Sequence, residues 1–221
     1  HCWNAFNKKH LDVPKLAIIA YGKLGGKEMG YASDLDLVFI YDDSDPEAGM
    51  IYARFAQRLD NWLTAPTGAG VLFETDYRLR PNGDSGLMVV STKMFEQYQR
   101  QSAWFWEFQA LTRARFCAGD VSVGRWFEQC RREILAQPRE LATVRHEILN
   151  MRDKLQAGHP NPTELFDLKY DEGGMVDIEF CVQAMVLNYS NIHPELLDNK
   201  GNIALLERAE RAGLISQGLG I

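Results

Sequence analysis

The chain has 221 residues, 46% hydrophobic and 24% charged, with a formal net charge of -6. That length suits one large domain or two small ones with ordinary globular cores, and the acidic balance speaks against a general nucleic-acid binder, which carries a basic face. Four cysteines (Cys2, Cys117, Cys130, Cys181) form no CxxC pair and no Cys/His spacing, so neither a zinc site nor a disulfide framework is expected and a reducing cytoplasm fits best.

No apolar stretch is long enough to span a membrane, and no signal peptide is visible. The chain opens on His1 and closes on Ile221 soon after a helical pattern, which reads as a piece excised from a longer protein. In chain order, Lys15 to Ala20 is a short apolar strand, and Tyr21 to Ser33 is a glycine-rich loop. Asp34 to Tyr41 is a second strand, followed by an acidic turn from Asp42 to Glu47. Ile51 to Leu63 has helical spacing, broken by Ala65 to Gly70. Leu72 to Leu79 alternates as a third strand, with Phe73, Thr75, Tyr77 and Leu79 on one face and Glu74, Asp76, Arg78 and Arg80 on the other. Leu87 to Val90 is a fourth.

After Ser91, a plausible helix N-cap, helical periodicity dominates. The expected helices are Thr92 to Gln101, Trp104 to Phe116, Val121 to Leu135, Glu140 to Gln156, Val176 to Tyr189 and Asn202 to Ala212, with a short strand at Phe166 to Lys169. The fold class is therefore α+β: a small mixed sheet with flanking helices over residues 1–90, then a mainly helical domain over 91–221 that closes a cleft.

The chemistry concentrates at the second strand. Asp34 and Asp36 are two apart and point the same way. Two carboxylates forced together repel unless divalent cations sit between them, and hard cations such as Mg²⁺ prefer oxygen ligands. Asp76, on the polar face of the third strand, is the natural third ligand. Three such acids can hold two ions about 3.5–4 Å apart. Gly25, Gly26 and Ser33 would let backbone amides approach phosphate closely. Arg78 and Arg80 share the face of Asp76; they either grip phosphate oxygens or simply pair with Asp76 and Glu74. The loop is neither a P-loop nor a dinucleotide fingerprint, because the required glycine and lysine spacings are missing. The aromatic run Trp104, Phe105, Trp106 and Phe108 reads as core rather than a stacking platform, and Arg113 or Arg115 either reaches the triphosphate or lies on a solvated helix face.

Gly25-Gly26, then Ser33-Asp34-Leu35-Asp36, then a lone acid on a later strand resembles the polymerase-beta-type nucleotidyltransferase superfamily. The entry Tyr21-Gly-Lys-Leu-Gly-Gly26, Asp76-Tyr-Arg-Leu-Arg-Pro81, Trp106-Glu-Phe-Gln-Ala-Leu-Thr-Arg-Ala-Arg115 and Asp171-Glu-Gly-Gly-Met-Val-Asp-Ile-Glu-Phe180 are similar to the glutamine synthetase adenylyltransferase family, over about Leu16 to Leu214. That family carries two related nucleotidyltransferase domains, and this chain looks more like the C-terminal, AMP-adding copy. The resemblance implies Mg²⁺ (Mn²⁺ as a substitute) at Asp34, Asp36 and Asp76, ATP as substrate, a tyrosine of glutamine synthetase as acceptor, and a PII-type signalling protein as regulator of the whole enzyme. It also implies that Lys169, Asp171, Asp177 and Glu179 face the nucleotide. Two alternatives stay open: phosphorolytic removal of AMP giving ADP, and a non-catalytic module that binds nucleotide or a PII-type protein.

Overall fold

The computed structural model describes residues 2–31, 33–68, 70–199 and 201–219, with the backbone alone at Asp84. Both chain ends (His1 and Ile221), Ala32 of the glycine-rich loop and Ala69 of the expected helix break lie outside the described residues, as do Lys200 and Gly220. The fold is α+β, with a mixed five-stranded sheet.

Strands β1 (Leu16–Ala20) and β2 (Leu35–Tyr41) form an antiparallel pair, Leu16 opposite Tyr41. β5 (Arg115–Gly119) joins the far side of β1, also antiparallel. Two short strands run parallel to β2: β3 (Thr75–Asp76) beside its start and β4 (Val89–Ser91) beside its end. The chain between β1 and β2 is tied at both ends. Tyr21 N donates to Asp36 O at 2.9 Å, and Leu35 N donates to Glu74 O at 2.8 Å.

Side chains alternate across a strand, and β2 shows what that does. Leu35, Leu37 and Phe39 enter a core with Ile51, Tyr52 and Phe55 of helix α2 (Ala48–Leu63) and with Trp3 and Phe6 from the N-terminal segment. Asp36, Val38 and Ile40 therefore face the other way. Val38 and Ile40 are buried there. Asp36, nearer the strand's start, is only half-buried. The N-terminal segment is anchored by a polar tie: Tyr52 OH donates to Asp43 at 2.8 Å, accepts from Lys15 N at 3.0 Å, and shares Asp43 with His10. Tyr52 is fully buried, so Tyr52→Phe, which strands an amide and a carboxylate, is expected to cost about 1–3 kcal/mol. Denaturant unfolding would read this as a lowered midpoint at unchanged slope.

Helix α3 (Thr92–Gln101) starts where the sequence places it. The Ser91 hydroxyl accepts from Met94 N at 3.2 Å, the N-cap geometry that stops β4 and starts the helix. Helix α5 (Val121–Leu135) also has its expected ends. Three expectations are corrected. The strand from Leu72 to Leu79 is paired only at Thr75–Asp76, because the backbone turns at Tyr77 (Arg80 N donates to Tyr77 O at 3.1 Å). The helix from Trp104 to Phe116 ends at Thr112 as α4 (Phe105–Thr112), and its remainder becomes β5, captured by pairing with β1. Phe166 to Lys169 is no strand; it is a bend and turn organised by the Asp167 and Asp171 carboxylates.

The chain forms two compact units. One compact unit comprises His1–Ala103 and Arg113–Arg131, which keeps the sheet, α2, α3 and most of α5 together. The other comprises Trp104–Thr112 and Arg132–Ile221 and is helical. It holds α4, α6 (Leu141–Gly158), α7 (Met175–Tyr189) and α8 (Asn202–Arg211). A buried Gln109–Gln183 hydrogen bond of 2.9 Å and the Arg132–Asp198–Arg208 ion pairs tie its elements together. Among the described residues no helix is long and apolar enough to cross a membrane.

Candidate functional site

The acids meet at the sheet edge where β3 joins β2. Asp36 and Asp76 are register partners in this parallel pair, so their side chains leave the same face of adjacent strands, about 4.8 Å apart. Asp34 stands just before β2 and is exposed. Burial, then the Asp76 and Asp34 charges, push the Asp36 carboxyl up to about 6, against which Arg78 and Lys23 pull only partly. The Asp76 and Asp34 charges thus both act on Asp36.

Two shallow clefts open on this edge. One of about 290 Å³ is lined by Ser33, Asp34, Val71, Leu72, Phe73 and Glu74. Another of about 380 Å³ is lined by Asp34, Glu74, Thr75, Asp76, Tyr77, Arg78 and Arg80. Asp34 and Glu74 belong to both.

Among the described residues no three acidic, histidine or cysteine side chains already converge tightly enough to hold a metal ion. Asp76 is already engaged. Its carboxylate accepts from Arg78 N at 2.8 Å, from Arg78 Nε at 2.8 Å and from the other guanidinium nitrogen. Arg78 thereby holds Asp76 below the usual carboxylate range. The pairing alternative for Arg78 is the one observed. Its side chain is 73% exposed while Asp76 is 15% exposed, so the guanidinium lies on the solvent side and can leave without disturbing the core. Arg80 is turned inward instead: its guanidinium donates to Tyr77 O at 3.0 Å and Gly86 O at 3.2 Å. The donor chemistry is nonetheless what a divalent cation prefers: hard carboxylate oxygens, two of them on register-paired residues, with the Asp36 charge only partly offset by Arg78 and Lys23.

Part of the glycine loop is helical. Residues Gly22–Gly25 form one helical turn, α1, and both Gly25 and Gly26 are buried. A Cβ on Gly25 would overlap the backbone oxygen of Arg113, and one on Gly26 would overlap the Arg113 guanidinium. These glycines admit Arg113, which is 6% exposed and donates to Gly22 O at 3.3 Å and Glu28 at 2.6 Å. Arg115 donates to Gly25 O at 3.0 Å and Leu24 O at 2.9 Å. Arg113 and Arg115 therefore clamp α1, which neither earlier reading of them anticipated. Gly22 is the glycine that touches the site. It sits at φ +51°, and a Cβ there would collide with the Asp36 carboxylate. Ser33 is also buried; its hydroxyl accepts from Gly30 N at 3.0 Å and closes the loop ahead of Asp34. Lys23 is the residue the sequence reading passed over. It is exposed, and its charge acts on Asp36; its place directly after a left-handed glycine is the only sequence signal.

Lys169, Asp177 and Glu179 lie in the helical unit. Lys169 rests over the Tyr170 ring at 4.5 Å. Asp177, in the first turn of α7, is ion-paired to Arg152 and accepts from Gly173 N at 2.6 Å, which holds its carboxyl below the usual range. Glu179 accepts from Gln183 at 3.2 Å. Arg152 and Asp177 border a groove of about 600 Å³ between α6 and α7.

A mixed sheet with acids in register on neighbouring strands, entered through a glycine turn, is consistent with a nucleotidyltransferase core. The model of the glutamate-ammonia ligase adenylyltransferase family matches residues 3–130. Curated relatives similar to this chain include proteins of Nitrosomonas europaea (56% identical over 216 residues, 98% of this chain and 23% of the relative), Burkholderia pseudomallei (55% over 221 residues, 97% and 24%) and Bordetella bronchiseptica (54% over 219 residues, 99% and 23%). Each is named a bifunctional glutamine synthetase adenylyltransferase/adenylyl-removing enzyme. The chain belongs to the glutamate-ammonia ligase adenylyltransferase family, and it spans about a quarter of the length of these relatives.

Proposed function

We propose that this chain is a catalytic part of an enzyme that transfers AMP from ATP to a tyrosine hydroxyl of glutamine synthetase, releasing pyrophosphate. The observation that carries the reading is Asp36 in parallel register with Asp76, which lines a polar cleft, with the Asp36 carboxyl pushed up to about 6. A carboxylate raised by burial and by its acidic neighbours is unfavourable alone and becomes favourable beside a cation.

In this reading Asp34, Asp36 and Asp76 hold Mg²⁺, which would neutralise triphosphate charge and lower the pKa of the acceptor phenol. Arg78 exchanges Asp76 for phosphate oxygens, a bidentate partner of similar geometry. Lys23 adds a positive charge that acts on Asp36. Arg80, held by two carbonyls, fixes the Tyr77–Gly86 loop rather than gripping phosphate itself. The phenol, with an unperturbed pKa near 10, attacks the α-phosphorus. Its oxygen–phosphorus bond forms as the bond to the bridging oxygen of pyrophosphate breaks. The chain contributes mainly by positioning and charge compensation. Gly22, Gly25 and Gly26 serve this by bringing α1 against Asp36 and Arg113. Lys169, Asp177 and Glu179 are read as nucleotide-binding residues on the family resemblance alone. A PII-type protein as regulator of the whole enzyme rests on the family resemblance.

The test is transfer of label from α-labelled ATP to unmodified glutamine synthetase with Mg²⁺, beside Asp34→Asn and Asp36→Asn. Label that disappears in both variants supports the reading. Phosphate-dependent release of ADP from pre-adenylylated glutamine synthetase would make the chain the removing half. Inactivity in both directions, with ATP still bound, would leave a binding module.

A further inference from the structure

Strand β3 is two residues long, yet it must hold Asp76 beside Asp36. A two-residue parallel ladder is a weak restraint, since each net hydrogen bond contributes little. A slip of one residue would turn Asp76 to the opposite face of the sheet. Something outside the ladder has to fix the register.

Asp60, in the last turn of α2, supplies it. One oxygen of its carboxylate, Oδ1, accepts from the Thr75 hydroxyl at 2.6 Å and from the Tyr77 hydroxyl at 2.8 Å. These residues flank Asp76 on either side. Alternation sends Thr75 and Tyr77 to the α2 face, where Tyr77 also packs 5.8 Å from Phe39. With both neighbours held on that face, Asp76 is left pointing to the other, where Asp36 is. An acid in the last turn of a helix opposes the helix dipole and has poor helical propensity; a carboxylate at Asp60 is therefore tolerated rather than favoured by the helix it sits in.

We propose that Asp60 is a positioning residue of the acid site: by accepting from both Thr75 and Tyr77 it fixes the register of β3, and with it the place of Asp76 beside Asp36. This rests on the reading of Asp36 and Asp76 as a cation site.

The test uses the intact protein with Asp60→Ala, Asp60→Asn and the double variant Thr75→Val/Tyr77→Phe. The first readout needs no metal: hydrogen exchange at the Leu35 amide, which donates to Glu74 O only when β3 is in register. The second is Mn²⁺ binding by electron paramagnetic resonance, with Asp36→Asn as the blank. Asp60→Ala should expose the Leu35 amide and weaken Mn²⁺ binding about 10- to 100-fold, the usual effect of removing a group that orients a ligand. Asp60→Asn, which keeps an acceptor oxygen in place, should recover most of both. The double variant should match Asp60→Ala, and combining the two should add little, because they break one connection. A lowered melting temperature with Leu35 protection and Mn²⁺ affinity unchanged would overturn the inference and leave Asp60 a plain stabilising tie. Should Asp60→Ala fail to fold, Tyr77→Phe alone decides: unchanged Leu35 exchange sinks the inference. Absence of Mn²⁺ binding in the unaltered protein would instead overturn the cation reading, while Leu35 exchange would still report whether Asp60 sets the register.

Discussion

Replacing Asp36 by asparagine is expected to abolish the proposed AMP transfer and, in the same protein without metal, to raise stability at neutral pH. The loss of activity should be about 10²–10³-fold or more, the range seen when one preorganised electrostatic contact to a transition state is removed. The gain in stability follows from the raised carboxyl. Asp36 goes from 3.8 to about 6, so between those values the folded chain keeps a proton that the unfolded chain has lost. Stability therefore falls as pH rises from about 4 to about 6 and stays low above it. Two pH units correspond to about 3 kcal/mol; Asp36 is only half-buried, and solvent screening reduces this to about 1–2 kcal/mol. Asparagine carries no charge at any of these pH values, so the variant should lose that slope and lie above the native protein at pH 7. Denaturant unfolding in a chelator at pH 4, 5, 6 and 7 would measure it. A variant less stable than the native protein at pH 7 would mean that the Asp36 charge is already compensated without metal, against the cation reading. Adding Mg²⁺ should raise the native protein at pH 7 and leave Asp36→Asn little changed.

This opposition between activity and stability explains which parts of the site could be read from sequence. Asp34-Leu35-Asp36 is legible because strand periodicity and burial are local: five apolar residues after Asp36 define the strand, and its phase sets where the acids point. Asp76 is legible for the same reason, from the alternation of Phe73, Thr75 and Tyr77. Helix α3 and its Ser91 cap needed only neighbouring residues. What escaped is non-local. Arg115 to Gly119 carries no alternation, and its last three residues are exposed; it is a strand because β1 has an open edge for it. Arg113 and Arg115 look like helix-face residues until that strand brings them onto α1. Arg78 is ambiguous in principle, since a guanidinium that fits phosphate also fits Asp76. Asp60 gave no signal at all, because its partners Thr75 and Tyr77 lie 15 and 17 residues away and nothing in a helical pattern marks a carboxylate as a tie to another strand.

The glycine turn yields the second large effect, and its glycines should separate cleanly. Gly25→Ala places a methyl group against two backbone oxygens, those of Arg113 and Ala20. Neither can move without dislodging β5 or β1, because Arg113 leads into β5 and Ala20 ends β1. Overpacking a rigid site costs typically 1–3 kcal/mol and more where backbone is the obstacle, so Gly25→Ala should lose about 3 kcal/mol or more of stability, with activity failing only as the fold fails. Gly22→Ala differs in what it meets. The obstacle is the Asp36 carboxylate, the end of a side chain that can rotate away, and the left-handed backbone adds about 1–2 kcal/mol for a residue with a Cβ. The fold should survive this. The carboxylate, however, would be driven from its place beside Asp76, and a displacement of about an ångström in a positioned group costs on the order of 10²-fold in rate. Gly22→Ala should therefore unfold cooperatively only a little below the native midpoint while transferring AMP about 100-fold more slowly, with most of the loss in kcat rather than in the KM for ATP. Comparable losses of stability in the two variants, with Gly22→Ala fully active, would mean that the turn is only a packing element and that Asp36 does not depend on it.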